Sequence, residues 1–311
     1  MGRGGGARRR KAREPLSFDS QTTLIRPVLI EGVGIHTGQV TRLTLRPANV
    51  GAGVRFLRTD IKDRDPAIPA TAAAVCATRL GTVIGNADGV TVATIEHLMA
   101  ALSALAVDNI LVEIDGPEVP IMDGSCRAFV EALDDAGRRP QGAPRRHIEI
   151  LSTLRVGDDK HWAELSPASG FEVAFDIDFA AADIGRQSLE IALDEASFRT
   201  ELAHCRTFGF LHEVEALRAS GLARGGSLDN VLVIDDGAVL NPGGLRCADE
   251  FVRHKALDAV GDLYLLGGPV IGRYRGVRAG HALNNALLLA LAEQHASWRH
   301  TIVQPELARA G

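Results

Sequence analysis

The chain has 311 residues, room for one large domain or two ordinary ones, and 46% of it is apolar, enough for real cores. Its formal net charge of −5 gives no whole-chain case for a nucleic-acid partner. No apolar run approaches the ~20 residues of a membrane helix, so stable membrane insertion is not expected. Cys76, Cys126, Cys205 and Cys247 lie far apart with no C-x-x-C pair, which argues against a disulfide framework and for a reducing, cytoplasmic setting.

In chain order, the opening MGRGGGARRRKAREP is Gly and Arg with almost no apolar side chains, so residues 1–18 read as a disordered basic tail. Such an arm offers only salt-sensitive, unspecific phosphate contacts. Order is expected to begin near Thr22. Thr41–Arg46 alternates polar and apolar, as a half-buried strand does. Ile95, Leu98, Met99, Leu102 and Leu105 recur at helical spacing, predicting an amphipathic helix over 94–106. Asn109–Ile114 reads as a strand stopped by Gly116-Pro117, and Ser125 as the cap of a helix carrying Phe129, Val130 and Leu133 and ending at Gly137.

The polar, proline-bearing stretch Arg138–Arg146 is the best linker candidate. Beyond it, Phe171, Val173, Phe175, Ile177 and Phe179 alternate through a long strand, and Leu189, Ile191 and Leu193 make another. Asp194 can cap a short helix. Helices are expected at Leu211–Ser220, at Asp249–Leu266 before Gly267-Gly268-Pro269, and at Leu283–Glu293, with strands at Val231–Ile234 and Val270–Arg275. Runs of strands followed by helices predict an α+β protein of two similar domains, each a helix layer on a mainly antiparallel sheet. The expected bounds are 19–141 and 146–298, with a C-terminal tail over 299–311.

The 249–266 helix carries the best chemical signal. His254, Asp258 and Asp262 fall in one narrow sector, with Val252, Ala256, Ala259, Val260 and Leu263 opposite. An i, i+4 His/Asp pair can place both donors on one metal ion, although a lone H-x-x-x-D more often marks a solvated helix face. On the 94–106 helix Glu96 directly precedes His97, the adjacency used where a carboxylate acts as base beside a ligating imidazole. Two histidines, one carboxylate and an open fourth position make a catalytic zinc set, and the same donors admit Fe²⁺ or Mn²⁺. His281, after Gly280, lies where a strand gives way to a helix; alone it reads as a capping or surface histidine.

Together these residues resemble the UDP-3-O-acyl-N-acetylglucosamine deacetylase family. The matching blocks run in family order: Glu31–Gly38, Thr94–Leu98, Pro120–Ser125, Arg206–Phe210, Gly225–Asn230, Asp249–Lys255 and Gly280–Asn285. The resemblance implies an active site at the interface of the two domains. It implies Zn²⁺, with Fe²⁺ as the alternative, on His97, His254 and Asp258, a metal-bound water, and Glu96 as general base. His281 would be the cationic partner that protonates the leaving amine, oriented by Asp262, and Thr207 would donate to the oxyanion. Lys255, Phe208, His36 and Gly226 would contact substrate, with the segment from Phe208 to Leu222 forming a passage for the acyl chain. The implied partner is a UDP-linked acylated glucosamine, the implied reaction removal of its N-acetyl group in lipid A biosynthesis, and the expected active unit a monomer. The chain departs from the family pattern in its arginine-rich arm and in His161, which precedes Trp162 where the family often has Lys.

Overall fold

The structure is a computed structural model describing residues 20–181 and 184–303. The basic tail expected over 1–18 and the last residues of the C-terminal tail lie outside that range. The first half contains β1 (Ser20–Leu24), β2 (Val28–Val33), β3 (Val40–Pro47), β4 (Val54–Arg58), β5 (Ala67–Pro69), β6 (Val75–Ala77), β7 (Val83–Gly85), β8 (Thr91–Val92), α1 (Glu96–Ala104), β9 (Ile110–Ile114), α2 (Arg127–Ala136) and β10 (Arg138–Pro144). The second half contains β11 (His147–Ile150), β12 (Leu154–Gly157), β13 (Trp162–Ser166), β14 (Phe171–Asp178), β15 (Arg186–Ala192), α3 (Glu195–Ser197), β16 (Phe208–Phe210), α4 (Leu211–Ala219), β17 (Leu232–Asp235), β18 (Ala238–Val239), α5 (Glu250–Leu263), β19 (Val270–Val277), α6 (His281–Glu293) and β20 (Trp298–Thr301).

The chain is α+β, and its sheets are mainly antiparallel. The first large sheet runs β2-β3-β9-β4-β5, parallel only between β4 and β9. The second is built around β19, which pairs antiparallel with β13 and parallel with both β11 and β14. Alternation decides which faces are buried: in β3, Thr41, Leu43 and Leu45 are buried while Val40, Arg42 and Arg46 are exposed. One hydrophobic cluster joins both halves, from Leu24 and Phe56 through Leu98 and Leu102 to Phe251, Leu263 and Leu288. Between the halves, α1 packs on α5. Gly261 makes this possible, because a Cβ there would overlap the carbonyl oxygen of Glu96. Among the described residues no helix is long and apolar enough to cross a membrane.

Four expectations are corrected. The stretch read as a linker forms β10, antiparallel to β1 with Leu24 opposite Arg138. The residue directly before α2 is Cys126 rather than Ser125, which stands one place earlier, accepts the Arg127 N–H on its hydroxyl at 3.3 Å and donates to Asp123 at 2.7 Å. Residues 299–301, read as the start of the tail, belong to β20, which pairs with β11. His281 is the first residue of α6 rather than part of the connection before it.

Candidate active site and metal centre

The polar sector of α5 faces α1 instead of water. His254, Asp258 and Asp262 are each no more than 5% exposed, and so are Glu96 and His97 on α1. A buried carboxylate or imidazole must find partners, and here the partners are one another. Asp258 Oδ1 lies 3.3 Å from His254 Nε2, one helical turn away, and 3.4 Å from His97 Nε2 on the facing helix. The two rings meet edge to face, with centroids 5.0 Å apart. His254 Nδ1 lies 3.1 Å from the Cys205 carbonyl, a contact that assigns the proton to Nδ1 and leaves the Nε2 lone pair facing Asp258.

Asp258 Oδ1 makes no hydrogen bond although it is buried. Burial alone would raise this carboxyl, but His254, His97, Lys255 and His281 hold it well below the usual carboxylate range. Burial, with His97 and Lys255 nearby, pushes His254 down to about 4, so it is a neutral ligand-type imidazole at pH 7. His97 moves the other way, because its contact with Asp258 and the charges of Asp258 and Glu96 outweigh its burial. A proton on His97 and a cation between the three groups would satisfy the same carboxylate. Two imidazole nitrogens and an orphaned carboxylate oxygen, all within 4.8 Å of one another, fit a tetrahedral divalent ion with one position open.

Glu96 opens α1, and its Oε2 accepts the Thr82 backbone N–H at 2.9 Å. Burial raises its pKa, against the pull of His281 and His97. His281 stands at the start of α6 with Nδ1 2.8 Å from Asp262 Oδ2, leaving Nε2 for the cavity. Burial opposes its charge, but Asp262, Glu96 and Asp258 win and raise it to about 9. Asp262 is held by two groups that sequence reading missed: Thr82 Oγ1 donates to Oδ1 at 2.6 Å, and Asn284 Nδ2 donates to Oδ2 at 2.8 Å. Asn284 lies within the family-like stretch Gly280–Asn285, so that stretch was a signal for it. Thr82 lies in a stretch with neither periodicity nor motif.

A cavity of about 440 Å³ opens over these groups, lined by His254, Lys255, Asp258, His281, Thr207 and Phe208 among others. Lys255 Nζ is 3.8 Å from Asp258 Oδ2. A second cavity of about 480 Å³ shares Leu80, Thr207 and Phe208 with the first and is mostly apolar, walled by Phe210, Val214, Leu217, Val231, Val233 and Leu240. Its walls come from β16, α4 and β17, a parallel strand pair joined through the helix. His36 and Gly226 line it too. His36 is held by two contacts, with Nε2 3.1 Å from the Leu80 carbonyl and Nδ1 3.5 Å from the Ala223 N–H. Glu118, fully buried and also missed, fixes that loop by accepting from the N–H groups of His36 and Thr37 at 2.8 Å.

The structure therefore brings together Glu96, His97, His254, Asp258, Asp262 and His281, with Thr207, Phe208 and Lys255 on the cavity wall; His36 and Gly226 line only the apolar extension. Residues 21–293 match the family described as UDP-3-O-acyl N-acetylglycosamine deacetylase. A UDP-3-O-acyl-N-acetylglucosamine deacetylase of Phenylobacterium zucineum (strain HLK1) is 60% identical over 290 residues, covering 93% of this chain and 99% of the relative. Another of that description, from Shewanella sp. (strain W3-18-1), is 45% identical over 280 residues, 89% of this chain and 91% of the relative.

Proposed function

This chain belongs to the UDP-3-O-acyl N-acetylglycosamine deacetylase family, and from that membership and the geometry of the site we propose how its residues divide the work. The reaction is hydrolysis of the N-acetyl amide of UDP-3-O-acyl-N-acetylglucosamine, releasing acetate, in lipid A biosynthesis. In our reading the acyl group is a 3-hydroxyacyl chain and the ion is Zn²⁺ on His97, His254 and Asp258. Fe²⁺ competes for that set because it contains no thiolate. When bound, the ion polarises the amide carbonyl and acidifies water.

Glu96 takes the proton from the attacking water; its burial raises its basicity towards neutral pH, where a general base works best. His281, charged against Asp262, supports the developing negative charge and delivers its Nε2 proton to the departing amine. Thr207 adds a neutral donor to the oxyanion. Lys255 holds polar groups of the substrate at the cavity mouth. The acyl chain occupies the apolar cavity beside Phe208, His36 and Gly226, where remote binding energy orients the amide. Every one of these groups comes from one chain, which supports a monomeric active unit. We place the enzyme in the cytoplasm, where thiols such as the buried Cys126 and Cys205 stay reduced.

The observation carrying this reading is the convergence of His97 Nε2 and His254 Nε2 on the unpaired Asp258 Oδ1, with Glu96 next in the chain to His97. The test is acetate release from UDP-3-O-(3-hydroxyacyl)-N-acetylglucosamine by metal-quantified enzyme, before chelation, after it, and after Zn²⁺ or Fe²⁺ is returned. Activity should vanish on stripping and return with the ion. Full turnover by protein shown to be metal-free would end the proposal.

A further inference from the structure

A second group of metal-type donors lies outside the site just described. His204, Cys205 and Cys247 bring one ring nitrogen and two sulfurs within 4.8 Å of one another. The sulfurs are 3.9 Å apart. A disulfide would need about 2.05 Å. The two thiols make an S–H···S contact; two thiolates about 2.3 Å from one tetrahedral ion stand about 3.8 Å apart, so the same spacing would also admit a bridging ion. Cys205 is buried, whereas His204 and Cys247 are half-buried, leaving one side of the cluster open to water. The other contact of Cys205 Sγ is the Glu201 carbonyl at 3.4 Å. Two sulfurs and an imidazole prefer a thiophilic ion over Mg²⁺ or Ca²⁺.

We propose that His204, Cys205 and Cys247 form a second metal site, taking a thiophilic divalent ion such as Zn²⁺ with water as the fourth ligand. Each thiol gives its proton to solvent as its sulfur–metal bond forms. The site joins the segment before β16 to the segment before α5, which are already laced together. Arg206 donates from N and Nε to the buried Glu250 at 2.9 Å, and Arg246 donates to the His204 carbonyl at 2.7 Å and from its backbone N–H to Glu250 at 2.6 Å. The Cys205 carbonyl is the group that orients His254, and Thr207 follows two residues later. An ion here braces one ligand of the catalytic centre without touching the reaction.

The test uses the full chain, stripped of metal under a non-chelating reductant and titrated with Co²⁺. The first centre has no sulfur ligand, so a near-ultraviolet sulfur-to-cobalt absorption reports the second alone. Uptake of two equivalents with that absorption is expected, and added Zn²⁺ should abolish it. Cys247→Ser should lose the absorption and one equivalent, Cys205→Ser should do the same, and Cys76→Ser should keep both. Uptake of one equivalent without the absorption by the folded wild type would overturn the proposal. So would an absorption that survives in folded Cys247→Ser protein, which is half-exposed and the safer substitution for folding.

Discussion

At His281 two forces oppose each other, and the outcome sets how the enzyme should respond to pH. Burial disfavours the imidazolium, while Asp262 at 2.8 Å favours it and prevails. Asp262→Asn removes the favourable charge while keeping the shape. We expect the alkaline limb of the kcat profile to move to lower pH and kcat to fall roughly 100-fold or more, as for loss of a tuned acid. An unmoved limb would show that His281 is not the group titrating there. Thr82→Val tests the missed positioning residue, since it strips the hydroxyl donor from Asp262 but keeps the N–H that holds Glu96. Leaving a buried carboxylate oxygen short of a donor costs about 1–3 kcal/mol. A roughly tenfold drop in kcat with little change in KM is expected, with rescue by Thr82→Ser; an equal loss in Thr82→Ser would point to packing instead. Most ionisable groups of the site were legible because they share a helix sector, as His254 and Asp258 do, or adjoin one another, as Glu96 and His97 do. Thr82 and Glu118 were not, because a single neutral or acidic residue in a loop acquires its role only from partners distant in the chain.

Helices α1 and α5 owe their registration to one missing side chain. Gly261 lets the Glu96 backbone lie directly on α5, which carries His97 towards His254 and Asp258. Gly261→Ala should push the helices apart, destabilise the fold by about 1–3 kcal/mol as an overpacked contact does, and weaken metal affinity more than it lowers Tm would suggest. Isothermal titration of stripped protein with Zn²⁺ checks this, and unchanged affinity would remove Gly261 from the account. Both helices were legible from their apolar spacing, but the direction of α5's polar sector was not. Periodicity tells which residues share a side; it cannot tell whether that side meets water or another polar surface. β10 was hidden for a different reason. It pairs with β1 alone and buries none of its residues, so Arg138–Pro144 carries no alternating apolar signature. The short strands β6 to β8 are two or three residues long and leave too little sequence to show a period.

For the whole molecule, the raised His281 links protonation to stability. Its ordinary value is 6.5 and its folded value about 9, so the folded state binds that proton more tightly. The stabilisation is complete below about pH 6.5, on the order of 3 kcal/mol at about 1.36 kcal/mol per unit, and is lost as pH rises through 9. In chelated protein the Tm should therefore fall by several degrees between pH 6.5 and 9.5, and His281→Gln should flatten that slope; an equally steep slope in the variant would assign the effect elsewhere. The fold class and the donor pairs on α1 and α5 were readable as candidates from patterns within single segments, and their gathering into one site was expected only from the family resemblance, whereas how the chain closes on itself was not. β1 pairs with β10 and β20 pairs with β11, two strands separated by Arg145-Arg146 alone. Ser20 lies across from Pro144 and Thr301 across from His147. With Cα atoms of paired residues up to about 5.5 Å apart and three peptide steps of 3.8 Å between the partners, Ser20 and Thr301 are within about 22 Å. In a chain trimmed to residues 20–301, a bridge of about eight residues could thus join Thr301 to Ser20, and a new start cut into an exposed turn such as Gly51 should yield a rearranged chain that folds and still releases acetate.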